Sequence, residues 1–204
     1  MLEGLKGILG RPLAIALDTA GGAMYVTDST SKTVIRANLD GSSPKALGDF
    51  GGLIDTPSDI AVDSTHEKLY IASFIGRTGR VIRADLDGSG VENLGDLGGT
   101  VAQPLNVAVE PLAGRLYVAD NMANTMCIAD LEGGNVRSLG NLDGALHEPT
   151  HMALDVASGR MYIANWGGDH FITRANLDGT GGERLGEERS ELYYQSGVGV
   201  YFPF

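Results

Sequence analysis

Little in this chain can form a covalent cross-link, cross a bilayer or grip a polyanion. Its 204 residues include one cysteine, Cys127, so no intrachain disulfide forms. In the repeat register set out below, Cys127 falls inside a strand, where a thiol is expected to be buried and inert rather than nucleophilic. No apolar run approaches the roughly 18 residues a membrane-spanning helix needs, so no membrane insertion is expected. Lys and Arg number 15 against 26 Asp and Glu, a formal net charge of -11. An acidic surface of that size argues against nucleic acid as a partner, because displacing counterions from a phosphate backbone takes a basic face. It argues equally against docking on anionic lipid. Residues 1–10 lack the apolar stretch of a secretory leader. The chain as it stands is therefore expected in the cytoplasm, or secreted or at the cell surface if it is cut from a longer parent. Also missing are a nucleophile elbow, a phosphate loop, a dinucleotide fingerprint and a metalloprotease motif.

What the chain has is glycine and a repeat. The 30 glycines follow no three-residue period, which points to many tight turns and hence many short strands. Pro12, Pro57, Pro104 and Pro149 are spaced by 45, 47 and 45 residues, and so are Tyr25, Tyr70, Tyr117 and Tyr162. The acids Asp18, Asp63, Glu110 and Asp155 keep the same step. The turn pairs Asp40 and Gly41, Asp87 and Gly88, Glu132 and Gly133, Asp178 and Gly179 follow, and a Leu-Gly pair closes each unit. Five landmarks in step over four copies mark a repeat architecture.

Each unit reads as four strands. A short apolar strand follows the proline and always carries a central Ala (Ala16, Ala61, Ala108, Ala153). The second strand centres on the Tyr. The third leads into the Asp-Gly or Glu-Gly turn, a strong hairpin signal because Gly accepts φ > 0 without steric cost. The fourth is weak and ends at Leu-Gly. Helical spacing of apolar residues is absent. The expectation is an all-β fold: a β-propeller of four-stranded antiparallel blades spanning residues 1–204 as a single domain. Blades are placed at about 11–56, 57–103, 104–148 and 149–194, with part-blade strands at 5–10 and 195–202.

The units resemble the LDL-receptor class B, or YWTD, propeller repeats. The four-residue stretch that names that family corresponds to Tyr-Val-Thr-Asp at 25–28, Tyr-Ile-Ala-Ser at 70–73, Tyr-Val-Ala-Asp at 117–120 and Tyr-Ile-Ala-Asn at 162–165. The family's Arg-Ala-Asn-Leu-Asp-Gly stands at 36–41 and 174–179, with Asp85 replacing Asn at 83–88 and with Ile128, Asp130 and Glu132 replacing Arg, Asn and Asp at 128–133. The Trp is missing from every copy. NHL-like and SMP-30/gluconolactonase-like propellers share the proline-then-inner-strand pattern and are close competitors. The YWTD resemblance implies a ring of six blades, whereas four whole units are present. The chain is thus either part of a larger ring, or completes one by self-association through open sheet ends, as a homodimer, or closes as a four-bladed ring, which needs strongly wedged sheets.

Candidate functional residues fall in two sets. The residue two after each proline is expected at the mouth of the central channel: Ala14, Asp59, Asn106 and His151. Resemblance to SMP-30-like propellers implies that Asp59, Asn106 and His151 could form part of a site for Ca²⁺ or Mg²⁺; otherwise they line a water-filled channel. Loops after the second strand offer Asp28, Phe74, Asp120, Asn121, Asn165 and Trp166. Trp166, in a Gly-rich loop, is either an exposed recognition anchor or a packing residue between blades. No resident cofactor is expected beyond that metal. The repeated acids are read as turn-stabilising carboxylates, since a site is not four-fold. Two functions follow. One is a non-enzymatic binding module for a protein or carbohydrate partner, using blade loops and the channel mouth. The other is a metal-dependent hydrolase or lyase acting at the central channel.

Overall fold

Residues that alternate apolar and polar along short segments cannot bury one face alone, so the segments assemble into sheets and the sheets stack. The computed structural model describes residues 3–168 and 170–185, and in it four antiparallel sheets of four strands are stacked as propeller blades. Blade 1 holds β1 (Pro12–Asp18), β2 (Ala23–Asp28), β3 (Thr33–Asn38) and β4 (Lys45–Ala46). Blade 2 holds β5 (Thr56–Asp63), β6 (Lys68–Ile75), β7 (Thr78–Asp85) and β8 (Glu92–Gly95). Blade 3 holds β9 (Pro104–Glu110), β10 (Arg115–Asp120), β11 (Thr125–Asp130) and β12 (Arg137–Gly140). Blade 4 holds β13 (Pro149–Asp155), β14 (Arg160–Asn165), β15 (Ile172–Asn176) and β16 (Glu183–Leu185). Strands pair in chain order within every blade. The proline sits where a missing N–H costs nothing, at or next to the start of the edge strand.

Each blade has a forward and a backward face, set by the period of two. The second-strand tyrosines point forward and the aliphatic residues flanking them point back. Tyr25, Val34 and Phe50 meet Ile60, Leu69, Ile71 and Ile82 between blades 1 and 2. Tyr70, Val81 and Leu97 meet Val107, Leu116, Val118 and Cys127 between blades 2 and 3. Tyr117, Met126 and Leu142 meet Met152, Met161 and Ile163 between blades 3 and 4. Each fully buried side chain of this size contributes about 1.5–3 kcal/mol, so the inter-blade layers hold the arrangement together. The alanines of the inner strands, Ala16, Ala61 and Ala108, pack on the same layers. The third strand turns into the fourth through a tight loop in which Gly41, Gly88, Gly133 and Gly179 all have φ between 80° and 88°.

The outermost faces of the stack differ. Ile15 is 56% exposed on the backward face of blade 1, while Ile60, Val107 and Met152 at the same register are buried. The strand expected at 5–10 is not formed. Glu3–Leu5 is instead a 3-10 turn; Ile8 and Leu9 donate their N–H groups back to the Leu5 carbonyl, and Gly7 takes φ 80°. That curl brings Leu5 and Leu9 onto Met24, Val26, Ile35 and Ala37, covering the outer part of blade 1's backward face. The strand expected at 195–202 lies outside the described residues.

Candidate functional site

The leading ends of the inner strands converge on a hollow of about 380 Å³ lined by residues of all four blades. The residue immediately after each proline faces it: Leu13, Ser58, Leu105 and Thr150. Arg11, Thr56, Phe74, His151 and Trp166 complete the wall. Phe74 lies at the end of β6 and Trp166 just beyond β14. Antiparallel pairing places both beside the inner-strand starts, as in the pairing of Thr56 with Phe74. Trp166 is 54% exposed, and its backbone is anchored by an N–H bond to the Glu148 carbonyl at 3.0 Å. The residue is therefore accessible, on a backbone held at that point. The Ser58 and Thr150 hydroxyls donate to the Ala72 and Ala164 carbonyls, each at 3.2 Å.

The residues two after the prolines do not sit at the open mouth as expected, apart from His151. Asp59 and Asn106 are 4% and 2% exposed. A bulge separates Pro57 from Asp59 and Pro149 from His151 in the pairing with the second strand, and the side chain beyond it turns toward the neighbouring blade. Asn106 donates its amide to Asp59 Oδ2, which also accepts the Val107 N–H at 2.9 Å. These bonds stitch blade 2 to blade 3. Burial pushes the Asp59 carboxyl up to about 7, against the pull of the Val107 and Ile60 N–H groups. Burial also lowers the pKa of His151, favouring its neutral imidazole.

As donors for Ca²⁺ or Mg²⁺ these residues fit in part. Asp59 and Asn106 are adjacent, and the buried Asn106 Oδ1 has no hydrogen-bond partner among the described residues. No cluster of three or more His, Cys, Asp or Glu able to hold a metal ion occurs among the described residues, and a Ca²⁺ sphere takes about six to eight oxygens.

The remaining loop candidates are engaged in structure. Asp120, 1% exposed, accepts from the N–H groups of Ala102 at 2.5 Å, Gln103 at 2.7 Å and Ala123 at 2.8 Å. Asp28 does the same for Gly10, Arg11 and Ser31, and these bonds hold its carboxyl below the usual carboxylate range despite burial. Asn165 accepts the His147 N–H at 2.9 Å, and Ser73 accepts that of Asp55 at 3.0 Å. One position in each repeat thus clamps the loop that leads into the inner strand. Asn121 donates to the Pro149 carbonyl at 3.3 Å, linking blades 3 and 4.

The repeated acids at the far ends of the inner strands behave as turn acceptors in three copies. Asp18 takes the Gly21 N–H, Asp63 those of Thr65 and His66, and Asp155 that of Ser158. Glu110 is longer and precedes Pro111, which lacks an N–H; its carboxylate accepts the Tyr117 hydroxyl at 2.9 Å instead. Cys127 is buried, and burial pushes its thiol pKa up. Reasoning from sequence alone overlooks the residues directly after the prolines. Alternation separates them from their neighbours but carries no mark of which set faces the axis.

With this geometry in place, the chain belongs to the structural class of β-propellers with four-stranded blades. No protein-family pattern and no curated protein sequence matches it. Solved structures do. A chain of a nidogen/laminin complex matches at TM-score 0.79 and 21% identity, over 93% of this chain and 68% of that one. A gluconolactonase from Xanthomonas campestris matches at TM-score 0.74 and 16% identity, over 95% and 67%. Kuenenia stuttgartiensis hydrazine synthase matches at TM-score 0.69 and 13% identity, over 87% and 50%. The chain therefore spans between half and about two thirds of these neighbours. At such identities the likeness establishes the fold alone.

Proposed function

We propose that the chain is a non-enzymatic binding module that takes a protein or carbohydrate partner at the hollow over the inner-strand starts. The carrying observation is the composition of that hollow. A half-exposed Trp166 stands with Phe74, Leu13 and Leu105 over a floor bearing the hydroxyls of Ser58 and Thr150. An accessible aromatic face beside hydroxyl and imidazole groups suits stacking on a sugar ring or capture of a protruding side chain. The fold neighbour seen in a complex of two proteins, nidogen with laminin, supports a protein partner. The net charge of -11 favours neutral or basic partners.

The test is binding on a glycan array and to immobilised candidate proteins, with Trp166→Ala as the control. Affinity is expected to fall about 10- to 100-fold on truncating such an anchor, with no turnover of any ligand. Retention of full affinity by Trp166→Ala refutes the assignment of the site.

A second reading is a metal-dependent hydrolase or lyase at the channel. It is favoured by the unpartnered Asn106 Oδ1 beside Asp59 and by the fold likeness to a gluconolactonase. It requires Ca²⁺ or Mg²⁺ binding by calorimetry that Asn106→Ala abolishes, together with metal-dependent lactone hydrolysis. Failure to bind either ion removes it.

A further inference from the structure

In an antiparallel sheet, directly paired residues project side by side on one face, and like charges there repel. The repeat sets an arginine of the third strand against a residue of the fourth. In blade 2, Arg83 pairs with Glu92, and their ions meet at 2.8 Å. In blade 4, Arg174 pairs with Glu183, and theirs meet at 2.6 Å. In blade 1 the same register sets Arg36 against Lys45.

Neither cation makes a side-chain hydrogen bond or ion pair among the described residues, and both line one cavity of about 470 Å³ between blades 1 and 2. Tyr25 lines it too. Its counterparts Tyr70 and Tyr117 donate their hydroxyls to the Leu131 carbonyl and to Glu110. The Tyr25 hydroxyl has no such acceptor among the described residues. At the next boundary Arg83 bridges the two blades, reaching the Leu131 carbonyl and Glu132, both at 2.9 Å. Arg36 makes no equivalent bridge to Leu86 or Asp87.

Three carboxylates share this wall. Asp18 accepts from the Gly21 N–H at 2.9 Å and from the Ser64 hydroxyl at 2.8 Å. Asp87 accepts from the hydroxyl and the N–H of Ser89, and Glu67 is exposed. Two of the acids are thus already engaged, and the third, like Lys45, is exposed. The Asp87 carboxyl is held below its ordinary value first by Ser89 and then by the nearby charge of Lys45, but neither Arg36 nor Lys45 closes an ion pair, and the Tyr25 hydroxyl has no acceptor among the described residues.

We infer that Arg36 and Lys45, with the Tyr25 hydroxyl, form a site for an oxyanion, a phosphate or carboxylate group, in the cavity between blades 1 and 2. The anion takes the place that Glu92 and Glu183 hold in blades 2 and 4. Arg offers a planar fork and Lys a point charge, a combination suited to bridging two oxygens of one group. The site lies at the opposite ends of the inner strands from the Trp166 hollow and does not depend on the function proposed there.

The experiment is thermal unfolding of the whole chain at constant pH and ionic strength in chloride, inorganic phosphate or acetate. Phosphate at about 20 mM is expected to raise Tm by about 2–5 °C over chloride if it binds at about millimolar strength. A rise in acetate alone assigns the site to carboxylates instead of phosphate. Lys45→Glu rebuilds the arginine–glutamate pair of the other blades. It is expected to raise Tm in chloride and to erase the anion-dependent increment. Identical Tm values in all three salts overturn the inference, and so does an increment that Lys45→Glu leaves intact.

Discussion

A carboxyl group confined between two sheets, as Asp59 is, holds its proton more tightly than one in water, because the charged form loses its solvation. Its pKa rises from 3.8 to about 7. The folded state therefore binds the proton that the unfolded chain releases between those values. Stability supplied by this group is fully present below pH 3.8 and declines as pH rises through about 7. Asp59→Asn keeps an acceptor for Asn106 and the Val107 N–H but cannot ionise. Urea denaturation is expected to show the variant more stable than the parent by on the order of 2 kcal/mol at pH 8, and nearly equal to it at pH 4. The channel residues carry a lesson about legibility at this scale. A polar residue two places after a proline is visible in the sequence, but its direction is not. Asp59 and Asn106 turn toward each other because a bulge at the strand start rotates the chain, and no residue type announces that rotation.

At the level of the element, the repeating motif acid is a fastener. Asp120 satisfies three N–H groups at once, from both the loop before the inner strand and the loop after its own strand. Asp120→Ala is expected to destabilise the chain by about 2–4 kcal/mol, read as a lower urea midpoint with an unchanged slope. Asp120→Asn should recover part of the loss, since Asn165 does a related task in blade 4. The strands themselves are legible because their markers recur: proline before the inner strand, Tyr within the second, Asp-Gly after the third. The segment at 5–10 reads wrongly because its Leu-Gly ending matches the fourth strands, while Gly7 and the returned N–H bonds of Ile8 and Leu9 curl it.

Across the whole molecule, the six sheet faces that meet in the three inter-blade layers are well filled with aliphatic and aromatic side chains, and the two outermost are not. On the backward side of blade 1, Ile15 and Leu17 are 56% and 55% exposed. On the forward side of blade 4, Tyr162 is only half-buried, although Tyr25, Tyr70 and Tyr117 are fully so. These faces carry side chains at the same register positions as the faces that pack together inside the stack, which supports a proposal of self-association. Light scattering is expected to give twice the 21.4 kDa chain mass, and Ile15→Glu with Leu17→Glu is expected to return it to the single-chain value without loss of the folding transition. An unchanged mass in that double variant, or a single-chain mass in the parent, contradicts the proposal. Blade number is legible from the count of repeats; closure is not, because it depends on how these faces are covered and on no local pattern. The loop clamp has one more consequence. Its partners stand 17 or 18 residues apart inside a single blade, so each repeat carries its own latch and borrows none from its neighbours. Such a unit can be duplicated or lost in tandem with its own latch intact, and hydrogen exchange should find protection rising and falling blade by blade rather than across the molecule at once.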